Sequence, residues 1–499
     1  MYRVCYELIQ WPFKPQSITK YWQPATSNQQ PVTSNQRMPR ITGLSERLVR
    51  HISEKKDEPG WMLEKRLAAF SAYEEKKMPT WGPDLSALKL DEIVYYTDPK
   101  TKEARSWDDV PDDIKQTFDG LGIPEAEQKA LAGVGAQYDA HSVYHHIKEA
   151  LTKKGIIFMD MDRAVREHTD IVREHVMTVI PQDDHVFAAI HGAVWSGGTF
   201  VYVPAGVTVP MPLQSYFWMQ ARKSGQFEHT LIIAEEGSSL EYIEGCGAPQ
   251  YAEHALHAGA VEVIVKKDAH VRYTSLENWS KNTYNLNTKR AVVGEHASMH
   301  WVGGNMGAGV TMLYPTSILS GRGARAHHVS VAVAGEGQVQ DTGGKVIHLA
   351  SDTVSTIHAR SIAHRGGESV FRGLVDVSPQ AKGAISATVC DSLLLDDASR
   401  AESYPAVKSS RSDVELTHEA RIGTIGEEEL FYARSRGFNE ADATRLIVGG
   451  FLRPVSEALP VEYALEFQKL LDRELSEQKK PRKRRKKDIV LESSTLGAS

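Results

Sequence analysis

Gly237-Ser-Ser-Leu-Glu-Tyr242, Asp268-Ala-His-Val-Arg-Tyr273 and His296-Ala-Ser-Met-His-Trp301 are three passes of one pattern. In each, a short turn of small or charged residues leads into alternating apolar and polar side chains. The pattern continues in Ala324-Arg-Ala-His-His-Val329, Ser351-Asp-Thr-Val-Ser-Thr-Ile357, Lys382-Gly-Ala-Ile-Ser-Ala387 and Ser412-Asp-Val-Glu-Leu416. One anchor per pass (Leu240, Val271, Met299, Ala326, Val354, Ile385 and Val414) gives steps of 31, 28, 27, 28, 31 and 29 residues. A fixed period of this size marks a solenoid. Alternation with period two makes its units strands. The expected fold is mainly β with helical caps: a right-handed parallel β-helix core flanked by N- and C-terminal helical domains.

Outward from the repeat, Gly155-Ile-Ile-Phe-Met159, Thr199-Phe-Val-Tyr-Val203 and Val207-Thr-Val209 read as short strands, punctuated by Pro204-Ala-Gly206 and Pro210-Met-Pro212. Before them, Leu44, Leu48 and Ile52 keep helical spacing, and Trp61 to Phe70 forms a second amphipathic run after Pro59. Val110 to Leu131 and Ser142 to Leu151 are further helix candidates. His141 and His145 have the i, i+4 spacing of a helical metal pair, with His146 beside them. No glutamate completes a His-Glu-x-x-His, so they read as structural or surface histidines. After Glu419 the helical period returns in Glu427 to Arg436, Asn439 to Gly449 and Pro460 to Leu475, with Asn439 and Asp442 as a capping signal. Solenoids need caps over their end coils. The expected domains are a disordered leader (1–40), an N-terminal helical domain (41–154), the β-helix core (155–424), a C-terminal helical domain (425–476) and a basic disordered tail (477–499).

The 499 residues carry a net charge of −6, but Lys479 to Lys487 holds eight cations, leaving −14 on the rest (−6 less those eight). That run has no aromatic residues for base stacking, so it reads as a solvated tail and not as a specific nucleic-acid surface. No stretch of about 18 apolar residues exists to span a membrane. The leader has no h-region of a secretory signal, and only Glu7 is acidic before Arg40. The expected location is cytoplasmic, or organellar if the leader is a transit peptide; Met38 is an alternative start.

Cys5, Cys246 and Cys390 form no Cys-x-x-Cys pair and no disulfide framework. Four-cysteine ligation of an iron–sulfur cluster by one copy is excluded. No nucleotide motif is present: Gly343-Gly-Lys345 lacks the upstream glycine of a phosphate loop. Cys246 lies in Tyr242-Ile-Glu-Gly-Cys-Gly-Ala-Pro249, where small neighbours would leave the sulfur open and Glu244 is an expected polar neighbour. It reads as a sulfur-accepting thiol or as a small buried hydrophobe, the commonest fate of a free cysteine. Cys390 lies five residues after Ile385, and Glu419 five after Val414. In that register they stack on adjacent coils, about 4.8 Å apart, as an iron-binding pair or as a polar ladder. His418 would then point to the other face.

These residues resemble the SufB/SufD family of SUF iron–sulfur cluster assembly proteins, in its B-type members, from about Ser45 to Leu475. The marks are Asp57-Glu-Pro-Gly-Trp-Met-Leu63, Trp81-Gly-Pro-Asp84, Gly225-Gln-Phe-Glu228 and Tyr242-Ile-Glu-Gly-Cys246. Further marks are Glu277-Asn-Trp279, Thr288-Lys-Arg290, Cys390-Asp-Ser392, His418-Glu-Ala420 and Leu430-Phe-Tyr432. The resemblance implies a scaffold, not an enzyme, that accepts sulfur and builds a nascent cluster for apoproteins. It makes Cys246 the sulfur acceptor and sets Gln220, Glu277, Trp279 and Lys289 along a sulfur path. It makes Cys390, Glu419 and His418 cluster-binding, with Cys390 and Glu419 as iron ligands. It implies a transient cluster of 4Fe-4S type, reduced flavin at the level of the complex, and a cysteine desulfurase with its sulfur-transfer protein. It also implies a SufC-type ATPase docked on the C-terminal helices and a SufD paralogue or second copy. Trp218 stands where many members have arginine. The alternatives are a SufD-like subunit and a β-helix polysaccharide-acting enzyme; the latter would need paired carboxylates in an open groove, and the acidic residues of the repeat are scattered.

Overall fold

The computed structural model describes residues 42–97, 131–138, 141–219, 225–248, 255–457, 459 and 461–476. The 1–40 leader, the basic tail, Gln220 and nearly all of the Val110–Leu131 candidate helix lie outside them.

The repeat folds into a parallel β-solenoid. Its front sheet stacks Gly133–Tyr138, Leu213–Trp218, Ser239–Gly247, His270–Asn278, Ser298–Met306, Arg325–Ala334, Val354–Ala363, Ile385–Leu394 and Glu415–Thr424 in sequence order, all parallel. The chain enters each of several coils through a residue in the left-handed region two positions before the front strand: Gly237, Asp268, His296, Gly323, Asp352 and Gly383. These turns stack as well. The amide of Asp268 donates to the carbonyl of Glu295, that of His296 to Arg322 and that of Asp352 to Lys382. Glycine, or a short polar residue, is what such a backbone tolerates, which is why the turns recur in the sequence as small or charged residues.

The back of the solenoid is a thirteen-stranded sheet that forks. The strand Val339–His348 pairs with Val310–Leu313 through its first half and with Thr316–Leu319 through its second. Early coils therefore have one long front strand and two short back strands, and later ones two long strands. The lumen between the sheets is filled by Leu240, Val271 and Met299 with the tilted ring ladder Tyr242, Tyr273 and Trp301, whose centroids lie 5.3 and 5.1 Å apart.

Helices cover the solenoid on two sides. Glu46–Lys55, capped by the Ser45 hydroxyl, Gly60–Glu75 and Val186–Val194 pack their apolar faces with Trp195, Phe200, Leu231 and Ile233. At the other end, Glu440–Ser456 and Val461–Ser476 lay Val448, Leu452, Phe467 and Leu471 over the outward side chains Leu276, Val302, Val331 and Ile362 of the front sheet.

Three expectations are corrected. Ser142–Leu151 is not a helix: His141–Ile147 is a strand, antiparallel to Gly133–Tyr138, followed by a single helical turn, Glu149–Thr152. The helical spacing of His141 and His145 therefore does not exist. Val207–Val209 contributes only an isolated bridge, Thr208 to Ser239. Most consequentially, the repeat register slips in the late coils. Leu240, Val271, Met299 and Ala326 pair directly, but Ala326 faces Ser355, then Ser386, then Leu416. The apolar anchors Val354 and Ile385 point outward, and Ile385 is 42% exposed. The lumen at this level holds hydroxyls, with His348 Nε2 3.0 Å from Ser355 Oγ, which donates to Ser386 Oγ at 2.8 Å.

Candidate functional site

The solenoid lines up its inward side chains in columns. One runs Cys246, Glu277, Asn305, Ala332, Ser361 and Ser392. The next runs Glu244, Ser275, Gly303, Ser330, Ala359 and Cys390. Cys246 and Cys390 are five coils apart, about 24 Å at the spacing of adjacent strands.

Cys246 is buried, 5% exposed, in a cluster with Phe217, Met219, Ala255, Trp279 and Ala308. Its glycine neighbours do not open it. A Cβ at Gly245 would lie 2.9 Å from the Tyr216 ring and one at Gly247 3.0 Å from the Trp218 ring, so both glycines are filled from the neighbouring coil. Burial first, then the nearby carboxylates of Glu244, Glu277 and Glu228, push the thiol well above its ordinary pKa, and only Lys289 opposes them. At neutral pH this sulfur carries its proton.

Beside it lies a continuous buried relay. His257 Nε2 sits 2.5 Å from Glu228 Oε1, and His257 Nδ1 donates to Asn285 Oδ1 at 2.8 Å. Asn285 Nδ2 donates to Glu277 Oε2 at 2.6 Å, and Lys289 Nζ donates to Glu277 at 2.7 Å and to Glu244 at 3.2 Å. Trp279 Nε1 points to Glu277 at 3.4 Å, and its ring lies 4.2 Å from that of His257. The charges are sorted by these contacts. Despite burial, Lys289, His257 and Asn285 hold Glu277 below the usual carboxylate range. Burial raises Glu244, and Glu228 raises His257 against the pull of burial. The relay thus sets Lys289 and His257, both pushed toward their protonated forms, against the carboxyl groups of Glu277, Glu228 and Glu244. Among the described residues, Glu228 Oε2 is a buried end of the relay without a hydrogen-bond partner.

Lys289 also lines a small internal cavity of about 20 Å³, between Ser275, Gly303, Ser330 and His328. That is about one water's worth of room. His328 Nε2 bonds Ser317 Oγ at 3.0 Å, while its Nδ1 is buried and unpartnered.

At the far end, Cys390 lies 4% exposed, 3.2 Å from Ser403 Oγ and 3.9 Å from His418 Nε2. Burial raises its pKa; the Ser403 hydroxyl opposes that rise. The expected stacking of Cys390 on Glu419 is overturned. Cys390 pairs with Ala420, and Glu419 pairs with Val389. Because the side-chain period is two, the one-residue slip exchanges faces: His418 turns inward beside the cysteine, while Glu419 points out, 55% exposed, bonded to Arg421 at 2.6 Å. Among the described residues, no three His, Cys, Asp or Glu side chains converge as a metal-holding group.

Sequence reasoning picked out Cys246, Glu277, Trp279 and Lys289, which converge, but missed Glu228, His257 and Asn285 as members of the relay. For Glu277, Trp279 and Lys289 the signal was the family resemblance, carried by Glu277-Asn-Trp279 and Thr288-Lys-Arg290. His257 and Asn285 sit on three-residue strands, Ala255–His257 and Thr283–Asn285, too short to show alternation.

Residues 217–451 match the SUF system FeS cluster assembly, SufBD core domain, and residues 50–215 match the SufBD protein N-terminal region. The chain belongs to the SufBD family of iron–sulfur cluster assembly proteins. It is 50% identical over 433 residues to the iron–sulfur cluster assembly protein SufB of Bacillus subtilis, covering 87% of this chain and 93% of that protein. A SufBD family protein of Staphylococcus haemolyticus matches at the same identity and coverage.

Proposed function

We propose that this chain is a B-type scaffold on which sulfur enters at Cys246 and is delivered, inside the solenoid, toward a nascent cluster at Cys390. The observation that supports this best is the column between them: Ser275, Gly303, Ser330 and Ala359 are all small, and they join the level of the buried relay to Cys390. In the first step a Cys246 thiolate attacks the terminal sulfur of a donor persulfide. A new S–S bond forms, the donor leaves as its thiolate, and the Cys246 proton passes to the carboxylate network. Gln220, Glu277, Trp279 and Lys289 belong to this path on the family reading. Lys289 would balance the negative charge of a persulfide. Conversion of sulfane sulfur to sulfide takes two electrons, which reduced flavin at the level of the complex would supply. The cluster, of 4Fe-4S type, is cargo. Cys390 and the inward His418 are its nearest ligands, and Glu419 reaches it only from the outer face.

Two surfaces suit the implied partners. Glu427–Ser435 and Glu440–Ser456 present Phe431, Tyr432 and Leu446, at 75%, 61% and 57% exposure, as a face for a SufC-type ATPase. The last coil leaves Val407 and Ile422 exposed on Arg400–Ser409 and Glu415–Thr424, each paired on one side only among the described strands. Open strand edges invite pairing, here with a SufD paralogue or a second copy. The scaffold reading is favoured over the SufD-like one by the Glu244-Gly-Cys246 motif and by similarity to a protein named SufB. The test is anaerobic reconstitution of the complex with iron and a persulfide donor. Cys390→Ala is expected to abolish the cluster absorption while Cys246 still takes up sulfur, and an unchanged spectrum would sink the assignment.

A further inference from the structure

Away from this path, Lys345 stands out. It belongs to the Gly343-Gly-Lys345 run, which fits no phosphate loop. The first glycine has a packing reason: a Cβ there would collide with the Arg372 carbonyl of the next coil. The lysine is held by aromatic rings and not by an acceptor. Its Nζ lies 4.9 Å from the centroid of the Tyr314 ring and 6.0 Å from that of Trp81, two rings 5.9 Å apart. Among the described residues it has no hydrogen-bond acceptor and no ion-pair partner.

The charges around it are already matched. Arg372 Nε holds both oxygens of Asp341, at 2.9 and 2.8 Å, and Asp341 also accepts from the Tyr314 hydroxyl. Arg290 Nη2 holds Asp184 at 2.5 Å. Two guanidinium groups thus face two carboxylates, and the charged amine is the surplus. His185 lies within electrostatic reach, and Tyr404 stacks on Arg372 at 4.4 Å. The group balances when Lys345 is neutral.

We propose that Lys345 is an acylation site, an amine without a counter-charge, held between Trp81 and Tyr314, that takes an acyl group from an acyl phosphate. The amine lone pair attacks the acyl carbon, the carbon–oxygen bond to phosphate breaks, and inorganic phosphate leaves with that electron pair. The amine proton goes to solvent. The product amide is uncharged, so the matched pairs around it are left in balance. The surplus positive charge of the group draws the anionic donor, whereas the neutral product needs no counter-ion. Burial, with Arg290 and Arg372 nearby, brings the amine down to about 8, against a weaker pull upward from Asp184 and Asp341. Lysines made nucleophilic by desolvation and a neighbouring cation follow this pattern.

The test treats the full chain briefly with acetyl phosphate across a pH series and maps acetyl-lysine by peptide mass spectrometry. Near pH 8, Lys345 is expected to react roughly ten-fold faster than the exposed Lys153, because an amine brought down to about 8 is about half free base there, far more than an ordinary lysine. Its rate is expected to rise through a midpoint near 8. Reaction no faster than at Lys153, or a midpoint near 10, would overturn the proposal. In Arg372→Met a nearby cation is lost and Asp341 is freed, and both raise the amine's pKa. The midpoint is expected to move up, and an unmoved or lowered midpoint counts against the site.

Discussion

The two ends of the solenoid bury polar groups differently. In the coils around Ser239–Gly247 and His270–Asn278, full charges sit in the lumen, each tied to a partner of opposite sign or a buried amide. In the coils of Val354–Ala363 and Ile385–Leu394, the lumen holds serine and threonine hydroxyls, and charge sits on the outer face, as in the Glu419–Arg421 pair. A buried charge is tolerable only when paired and hydrogen-bonded, so the first region is rigidly determined. Hydroxyls cost less to bury, and the second region can stay open at its edge.

The largest expected effect comes from removing the buried ammonium of the first region. Lys289→Met leaves Glu277 and Glu244 without their cation, and breaking a buried pair costs about 3–5 kcal/mol. Denaturant unfolding at pH 7 measures it, and a loss below about 1 kcal/mol would show that the relay is not charged as described. The sign with pH is fixed. Glu277 is held low in the native protein, so its contribution is present above its ordinary value of 4.5 and fades as pH falls through its lower native value. In the variant its native pKa rises, so the deficit is expected to shrink between pH 7 and about 4.5. At the other extreme, Glu419→Gln removes an exposed ion pair, for which the expected cost is below about 0.5 kcal/mol. A larger loss would mean that Glu419 turns inward, as the first register required.

That register shows where the sequence could be read and where it could not. Leu240, Val271, Met299 and Ala326 are apolar residues whose side chains fill the lumen, so alternation reported their faces correctly. Val354 and Ile385 are apolar but point outward, while Ser355 and Ser386 point in and bond each other. Alternation assumes that water is outside and hydrocarbon inside, and here a hydroxyl ladder reverses it. The cost fell on the candidate site: His418 and Glu419 exchanged faces. Likewise Ser142–Leu151 has helical spacing, yet it pairs with Gly133–Tyr138 because the first coil offers an edge that a strand satisfies. Tertiary pairing overrode local pattern. The buried thiol of Cys246 could be named, but not its closure. Glycines on either side look like open space until the rings of Tyr216 and Trp218 are seen to occupy it.

If the lumen joins the two regions, Gly303 is where the route can be blocked. It lies midway in the column, and a Cβ there would meet nothing closer than Ser275 Oγ at 3.8 Å, so a larger residue can enter the cavity. Gly303→Val should fold, at a cost of roughly 1–3 kcal/mol for overpacking, and should narrow the column. After anaerobic loading with a labelled persulfide donor, sulfur on each cysteine can be mapped by mass spectrometry. The expected result is normal labelling at Cys246 and a marked loss at Cys390. Undiminished label at Cys390 would contradict an internal route.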